Sequence, residues 1–310
     1  MGCESNERAT PVVCSEAAIE DAGALDFARA ARDMEERGRI RSGRDCGELR
    51  PVMLVASFGT SYNENRADTI GAIECAVANA FPQFEVRRAF TAREIVEKLF
   101  QRDGYRVDTV EQALARCAND GVREVYVLPT HLIPGREYAD VRHAVDKFVG
   151  RFDVLKMAGP LLDTSDDIDR VIGACVEAMS SSGSEGETAL CLMGHGTNVA
   201  ANQVYFTVRD AFALKSPLRH FIGTVEGTPT LEDAVDEMVA AGVRRAVLRP
   251  LMVVAGDHAN NDMADADDPE SLAGMLSRRG VEVECQIEGL GQLPAIRALY
   301  VQHARSIVEG

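Results

Sequence analysis

The sequence predicts an α/β protein of two similar lobes, each a parallel sheet flanked by helices. Two observations carry that prediction. From Val52 onward, short apolar runs alternate with longer amphipathic stretches, the pattern of βα units feeding a parallel sheet. The chain also repeats itself. Ser57-Phe58-Gly59-Thr60 matches Gly194-His195-Gly196-Thr197, and Arg88-Ala89-Phe90-Thr91 matches Val225-Glu226-Gly227-Thr228, both at an offset of 137 residues. Gly121-Val122-Arg123 matches Gly242-Val243-Arg244 at an offset of 121. A period this long marks a duplicated domain, not a solenoid. The shorter second copy assigns the first an inserted helical stretch near 92–118.

In chain order the strands fall at 52–57, 84–89, 123–128, 153–157, 188–193, 220–225, 245–254 and 281–286, four to each half. Each is a short apolar run between turn residues. Helical stretches lie between them, among them 64–80, 137–149, 166–180, 231–241 and 293–308. Asp163-Thr164-Ser165-Asp166 reads as an N-cap, and Gly104, Gly121, Gly242 and Gly280 read as stops after helices. The chain thus divides into an extension (1–51), a first lobe (52–187) and a second lobe (188–310). Within the extension, 16–41 has amphipathic helical spacing with Leu25, Phe27, Ala28 and Met34 inward. It is expected to pack on the body or on a neighbouring subunit.

Lys plus Arg number 33 against 49 Asp plus Glu, a formal charge of −16. Neither lobe is basic, which argues against a nucleic-acid partner or an anionic membrane surface. No apolar stretch reaches the ~20 residues that span a bilayer, and the first thirty residues hold no signal-peptide core. The eight cysteines form no CxxC pair. That spacing fits reduced thiols on apolar faces, and a cytoplasmic location.

In parallel sheets ligands bind beyond the carboxyl ends of the strands. His195, Glu226 and His258 stand there in three consecutive units of the second half. The repeat places Phe58, Ala89 and Glu137 opposite them. The copies share backbone punctuation and differ in chemistry, so the second half is expected to hold the reactive centre. Two imidazoles and a carboxylate suit a borderline divalent ion such as cobalt, nickel, zinc or iron. Gly194-His195-Gly196 is either a close approach for a flat ligand or a tight βα turn. His131 also follows a strand, and it either lines the same cleft from the other lobe or belongs to the core. His143, His220 and His303 are read as structural. The acids Asp257, Asp262, Asp265, Asp267, Asp268 and Glu270 around His258 are either a solvated loop or a metal-collecting approach.

At these residues the chain resembles the CbiK-type anaerobic sirohydrochlorin cobaltochelatases. The shared segments are LVASFGTSY, RAFT, THLIPGREY, LMGHGT, VEGTP, LRPLMVVAGDHANNDMA and GLGQLPAIRALYVQH, over about 52–308. The resemblance implies the class II chelatase fold, two similar lobes with a cleft between them. It implies insertion of Co2+ into sirohydrochlorin with loss of two protons, in anaerobic cobalamin synthesis. His195 and His258 match the metal-binding histidines and Glu226 the acidic partner, as ligand or proton acceptor. Cobalt is then a substrate, and no permanent cofactor is implied. Some relatives carry a further His where this chain has Val199, so that role does not transfer. The family also suggests a homo-oligomer. Phe58, Thr60, Arg88, His131 and Arg136, with Arg249, are the candidates for holding the ring and its carboxylates. An iron or nickel chelatase of the same fold, or a metal or tetrapyrrole carrier, are the competing readings.

Overall fold

The computed structural model describes residues 50–181 and 188–310. The helix expected at 16–41 and the thiols Cys3, Cys14 and Cys46 lie outside the described residues.

The first lobe opens with β1 (Val52–Ser57), buried along its whole length. A turn leads to α1 (Asn63–Arg66), a π-helical turn (Ala67–Gly71) and α2 (Ala72–Ala80). Then come β2 (Glu85–Phe90), α3 (Arg93–Asp103), β3 (Asp108–Thr109), α4 (Val110–Asn119), β4 (Glu124–Pro129), α5 (Arg136–Asp146), β5 (Val154–Met157) and α6 (Ser165–Ser181). The second lobe runs β6 (Thr188–Gly194), α7 (Gln203–Lys215), β7 (His220–Thr224), α8 (Leu231–Ala240), β8 (Arg245–Pro250), α9 (Leu272–Arg278), β9 (Glu282–Cys285) and α10 (Pro294–Glu309). The sheets have the orders β3-β2-β1-β4-β5 and β7-β6-β8-β9, every pair parallel.

The local signals work as expected. Thr164 caps α6, its hydroxyl accepting from Asp167 N at 3.2 Å while Asp167 accepts from Thr164 N at 2.9 Å. Such a reciprocal cap is worth ~1 kcal/mol. Gly104, Gly121, Gly242 and Gly280 all sit at φ between 66° and 79°, the left-handed stop that a side chain resists.

Three expectations are corrected. The first sheet has five strands, because the two-residue β3 divides the inserted stretch into α3 and α4. Thr109 ends β3 and caps α4 in a box with Gln112, so a strong helix start interrupts the helical pattern. The strand expected at 245–254 ends at Pro250, which has no N–H for another rung. The match of RAFT to VEGT is out of register by three residues. Ser57 pairs with Phe90, and Gly194 pairs with Thr224, so Phe90 corresponds to Thr224. Likewise Phe58 O accepts from Ala92 N as His195 O accepts from Glu226 N. Ala92, not Ala89, is the counterpart of Glu226. The helix α10 follows the second sheet in sequence but packs on α2 and β4 of the first lobe and on α6.

That crossing helix joins the lobes. Met53 and Val55 of the first sheet, Leu190 and Leu192 of the second, and Ile296, Leu299 and Tyr300 of α10 belong to one apolar cluster. Tyr300 donates to Thr130 O at 2.8 Å from within it. The two sheets are thus fixed to one another beneath their carboxyl ends, where the cleft opens. No helix among the described residues is long and apolar enough to cross a membrane.

Candidate active site

The carboxyl ends of both sheets face a cleft of about 440 Å³. The first lobe contributes Phe58, Thr60 and His131, and the second contributes His195 and His258. Both walls carry apolar residues, including Ile95, Ile133 and Leu251 to Val254, so a flat hydrophobic ligand loses water on entering.

His195 is aimed by the turn that ends β6. A side chain on Gly194 would strike the Tyr205 ring at 2.2 Å. Gly196 has φ +80°, and a Cβ there would come 2.5 Å from Gly227 N. The glycines make room for the protein's own Tyr205 and for the neighbouring loop. The tight-turn alternative therefore accounts for them. Tyr205, buried in the floor, accepts from Gly196 N at 3.1 Å. Asn202 ties the two loops together, accepting from Thr197 N at 3.0 Å and donating to Thr228 O at 2.6 Å. His258 follows the bend after β8 and leads into a π-helical turn (Ala259–Met263), a local form frequent at functional sites.

The two imidazoles meet edge to face, with centroids 4.8 Å apart and planes at 86°. His195 Nδ1 lies 3.0 Å from Gly196 O. A carbonyl only accepts, so Nδ1 carries the proton and Nε2 keeps its lone pair. His258 Nδ1 lies 2.8 Å from Asp262 Oδ2, which leaves its Nε2 as the donor atom in the same way. Both rings are about one-third exposed. Glu226 stands at the rim, 62% exposed, with Oε2 4.0 Å from His195 Nδ1. It is absent from the cleft lining. No three His, Cys, Asp or Glu side chains among the described residues are already gathered to hold an ion. Two of the three predicted ligands are together, and the third stands outside the lining.

The other candidates divide. Phe58 is 38% exposed in the cleft. Thr60 is buried at the seam between lobes, its Oγ1 3.3 Å from where a Gly256 Cβ would stand. His131 lines the cleft while buried, with Nδ1 unpartnered and Nε2 3.4 Å from Thr91 Oγ1. Burial pushes its pKa down to about 4. Arg88 points into the first lobe, where it pairs with Glu74 at 2.5 Å and donates to Tyr105 at 2.7 Å. Arg249 is buried and bound to Gln286 and to Glu288, the latter at 3.1 Å. Arg136 is exposed at the start of α5, outside the lining. His220 and His303 are structural, the first stacked 4.3 Å from Phe212 and the second 3.0 Å from Asp167.

Sequence reading treats Asp262 only as one acid among six and passes over Tyr205, Asn202 and Lys98. For Asp262 a signal exists, since an acid four residues after a histidine on a helical turn falls on the same face.

Two nitrogen donors facing an open interlobe cleft, with no closed cage of ligands, suit a site that takes up a metal ion and releases it again. Comparison with known proteins agrees. The family described as Cobalt chelatase (CbiK) matches residues 51–309, and the chain belongs to that family. It is 36% identical over 256 residues to the sirohydrochlorin cobaltochelatase of Salmonella typhimurium, covering 82% of this chain and 95% of that one. It is 30% identical over 258 residues to the sirohydrochlorin cobaltochelatase CbiKC of Nitratidesulfovibrio vulgaris, covering 83% and 90%. Among solved structures, SirB from Bacillus subtilis with Fe3+ aligns at TM-score 0.53 and 11% identity, over 84% of this chain and 96% of that one. CbiX, the terminal enzyme for siroheme biosynthesis in denitrifying bacteria, aligns at 0.51 and 17%, over 83% and 99%. At these identities the two structures speak to the fold, a duplicated chelatase-like α/β architecture.

Proposed function

We propose that this chelatase inserts Co2+ into sirohydrochlorin, with release of two pyrrole protons, as a step of cobalamin biosynthesis. The observation that carries the reading is the His195–His258 pair, with no partner on either Nε2 among the described residues, in an interlobe cleft of about 440 Å³.

Metal insertion requires the ion to lose water, the ring to be held, and protons to leave. Two neutral imidazoles strip part of the hydration shell yet release the ion readily, unlike a thiolate cage. Glu226, exposed at the rim, joins as third ligand or takes a proton from the ring. Phe58 and the apolar walls bear on the ring face, with Thr60 and His131 behind them. On this reading cobalt is a substrate and no permanent cofactor takes part. The five described cysteines form no disulfide, and a reducing cytoplasm is the proposed location. A homo-oligomer rests on the family resemblance, and light scattering of the purified protein tests it.

Absorbance of sirohydrochlorin with Co2+, Fe2+ and Ni2+ in turn tests the function. Conversion to the metallated spectrum, fastest with Co2+, is the expected result. Binding without conversion for all three ions defines a carrier and defeats the proposal.

A further inference from the structure

The substrate carries several carboxylate arms around its ring, yet the cleft wall is acidic. Glu94, Glu137 and Asp257 all line it. The arginines nominated from sequence do not answer this charge, because Arg88 and Arg249 are held internally and Arg136 lies outside the lining. One Lys or Arg lines the cleft among the described residues, and it is Lys98.

Lys98 is on α3, the helix inserted only in the first lobe. It is exposed and makes no hydrogen bond or ion pair among the described residues. This sets it apart from the next cation on the helix, Arg102, which is bound to Asp103 at 2.7 Å. Ile95, one turn before Lys98, packs against the Phe58-Gly59 turn, with its Cγ2 3.2 Å from where a Gly59 Cβ would stand. The insertion therefore adds a free ammonium to the first-lobe lining that also holds the exposed Phe58 ring. An aromatic face and a cation in one cleft lining match a flat ring edged with carboxylates.

We infer that Lys98 is the carboxylate-binding group of the tetrapyrrole site, and that α3 supplies specificity for a polycarboxylated ring. The inference rests on sirohydrochlorin being the substrate. Net charge does not oppose it, since a local cation in an acidic protein still binds an anion at contact distance.

The test measures sirohydrochlorin binding to the metal-free protein, by its absorbance and fluorescence, and KM for both substrates. The proteins are wild type, K98A, K98E, K98R and the distant control K147A. Lys147 pairs with Glu111 at 2.8 Å on the surface, so K147A makes the same change in net charge. One exposed ion pair of ~1 kcal/mol corresponds to about a 5-fold change in binding. Kd and KM for sirohydrochlorin are expected to rise about 5-fold in K98A, further in K98E, and to recover in K98R. K147A stays at the wild-type value, and so does KM for Co2+ in the Lys98 variants. Unchanged ring binding in K98A and K98E, or an equal rise in K147A, overturns the assignment while leaving the chelatase reading intact. Failure of wild type to bind sirohydrochlorin overturns both.

Discussion

His195 and His258 stand edge to face at 4.8 Å between ring centroids, and both come from the second lobe. On the proposed reading the second lobe takes the ion, and the opposite wall, with Phe58 and His131, is left for the ring. This division explains why the duplicated lobes keep the same turns and differ at the residues the turns present.

Each imidazole has an Nε2 with no partner among the described residues, so on the proposed reading removing either leaves the ion a single nitrogen from the pair. His195→Ala and His258→Ala are each expected to cut single-turnover insertion of Co2+ by roughly 100-fold or more. Stopped-flow absorbance with excess enzyme reads this directly. A rate within a factor of two or so of wild type in both variants would remove the histidines from metal handling.

Asp262 holds the His258 Nδ1 proton at 2.8 Å, which fixes the ring and makes its Nε2 a stronger donor. Asp262→Asn is expected to raise KM for Co2+ by ~10- to 100-fold, with sirohydrochlorin binding in the absence of metal little changed. Asp262→Glu should recover part of the loss. An equal fall in metal and ring binding would mark Asp262 as merely structural.

Much of the fold is legible in the sequence because βα units announce themselves locally. Apolar runs, capping residues and stop glycines mark most boundaries, and the internal repeat shows the duplication. Glu226 shows where that legibility ends. RAFT and VEGT look alike, but the backbone pairs Gly194 with Thr224 and Ser57 with Phe90, which shifts the match by three residues. Similar spelling does not report sheet register. The arginines fail for a related reason. Arg88 and Arg249 sit in strands, and the pleat that sends them inward to Glu74 and to Gln286 with Glu288 depends on packing between layers. Lys98 is passed over because it lies on a helix outside the repeat. The packing of α10 on the first lobe involves contacts far apart in sequence, which no local pattern encodes.

Asn202 is buried, and it joins the loop after β6 to the loop after β7 through bonds to Thr197 N at 3.0 Å and Thr228 O at 2.6 Å. Those loops carry His195 and Glu226. Asn202→Ala removes the side-chain partners of the part-buried Thr197 N–H and of the Thr228 carbonyl, at a cost of about 1 kcal/mol. A lower urea midpoint and a slower insertion rate are expected together. Asn202→Asp keeps the acceptor for Thr197 and loses the donor for Thr228, so it should fall between wild type and Asn202→Ala. A midpoint equal to wild type in the alanine variant contradicts the bridging role.

His131 predicts a specific acid sensitivity. Its side chain is buried with Nδ1 unpartnered, and desolvation lowers its pKa from 6.5 to about 4. The unfolded chain, with the higher pKa, takes up the proton first as pH falls. Well above pH 6.5 the group is neutral in both states and contributes no pH dependence. Between about 6.5 and 4 the unfolded state gains protons that the folded state refuses, so stability falls through that window. At 1.36 kcal/mol per unit the loss is on the order of 3 kcal/mol. His131→Gln has no proton to gain there. Urea unfolding at intervals from pH 7.5 to pH 4 should therefore show wild type losing more stability than the variant, with the two curves parallel well above 6.5. Parallel curves across the whole range would mean that His131 is reached by water in the folded protein, and that the first-lobe wall of the cleft is wetter than its packing indicates.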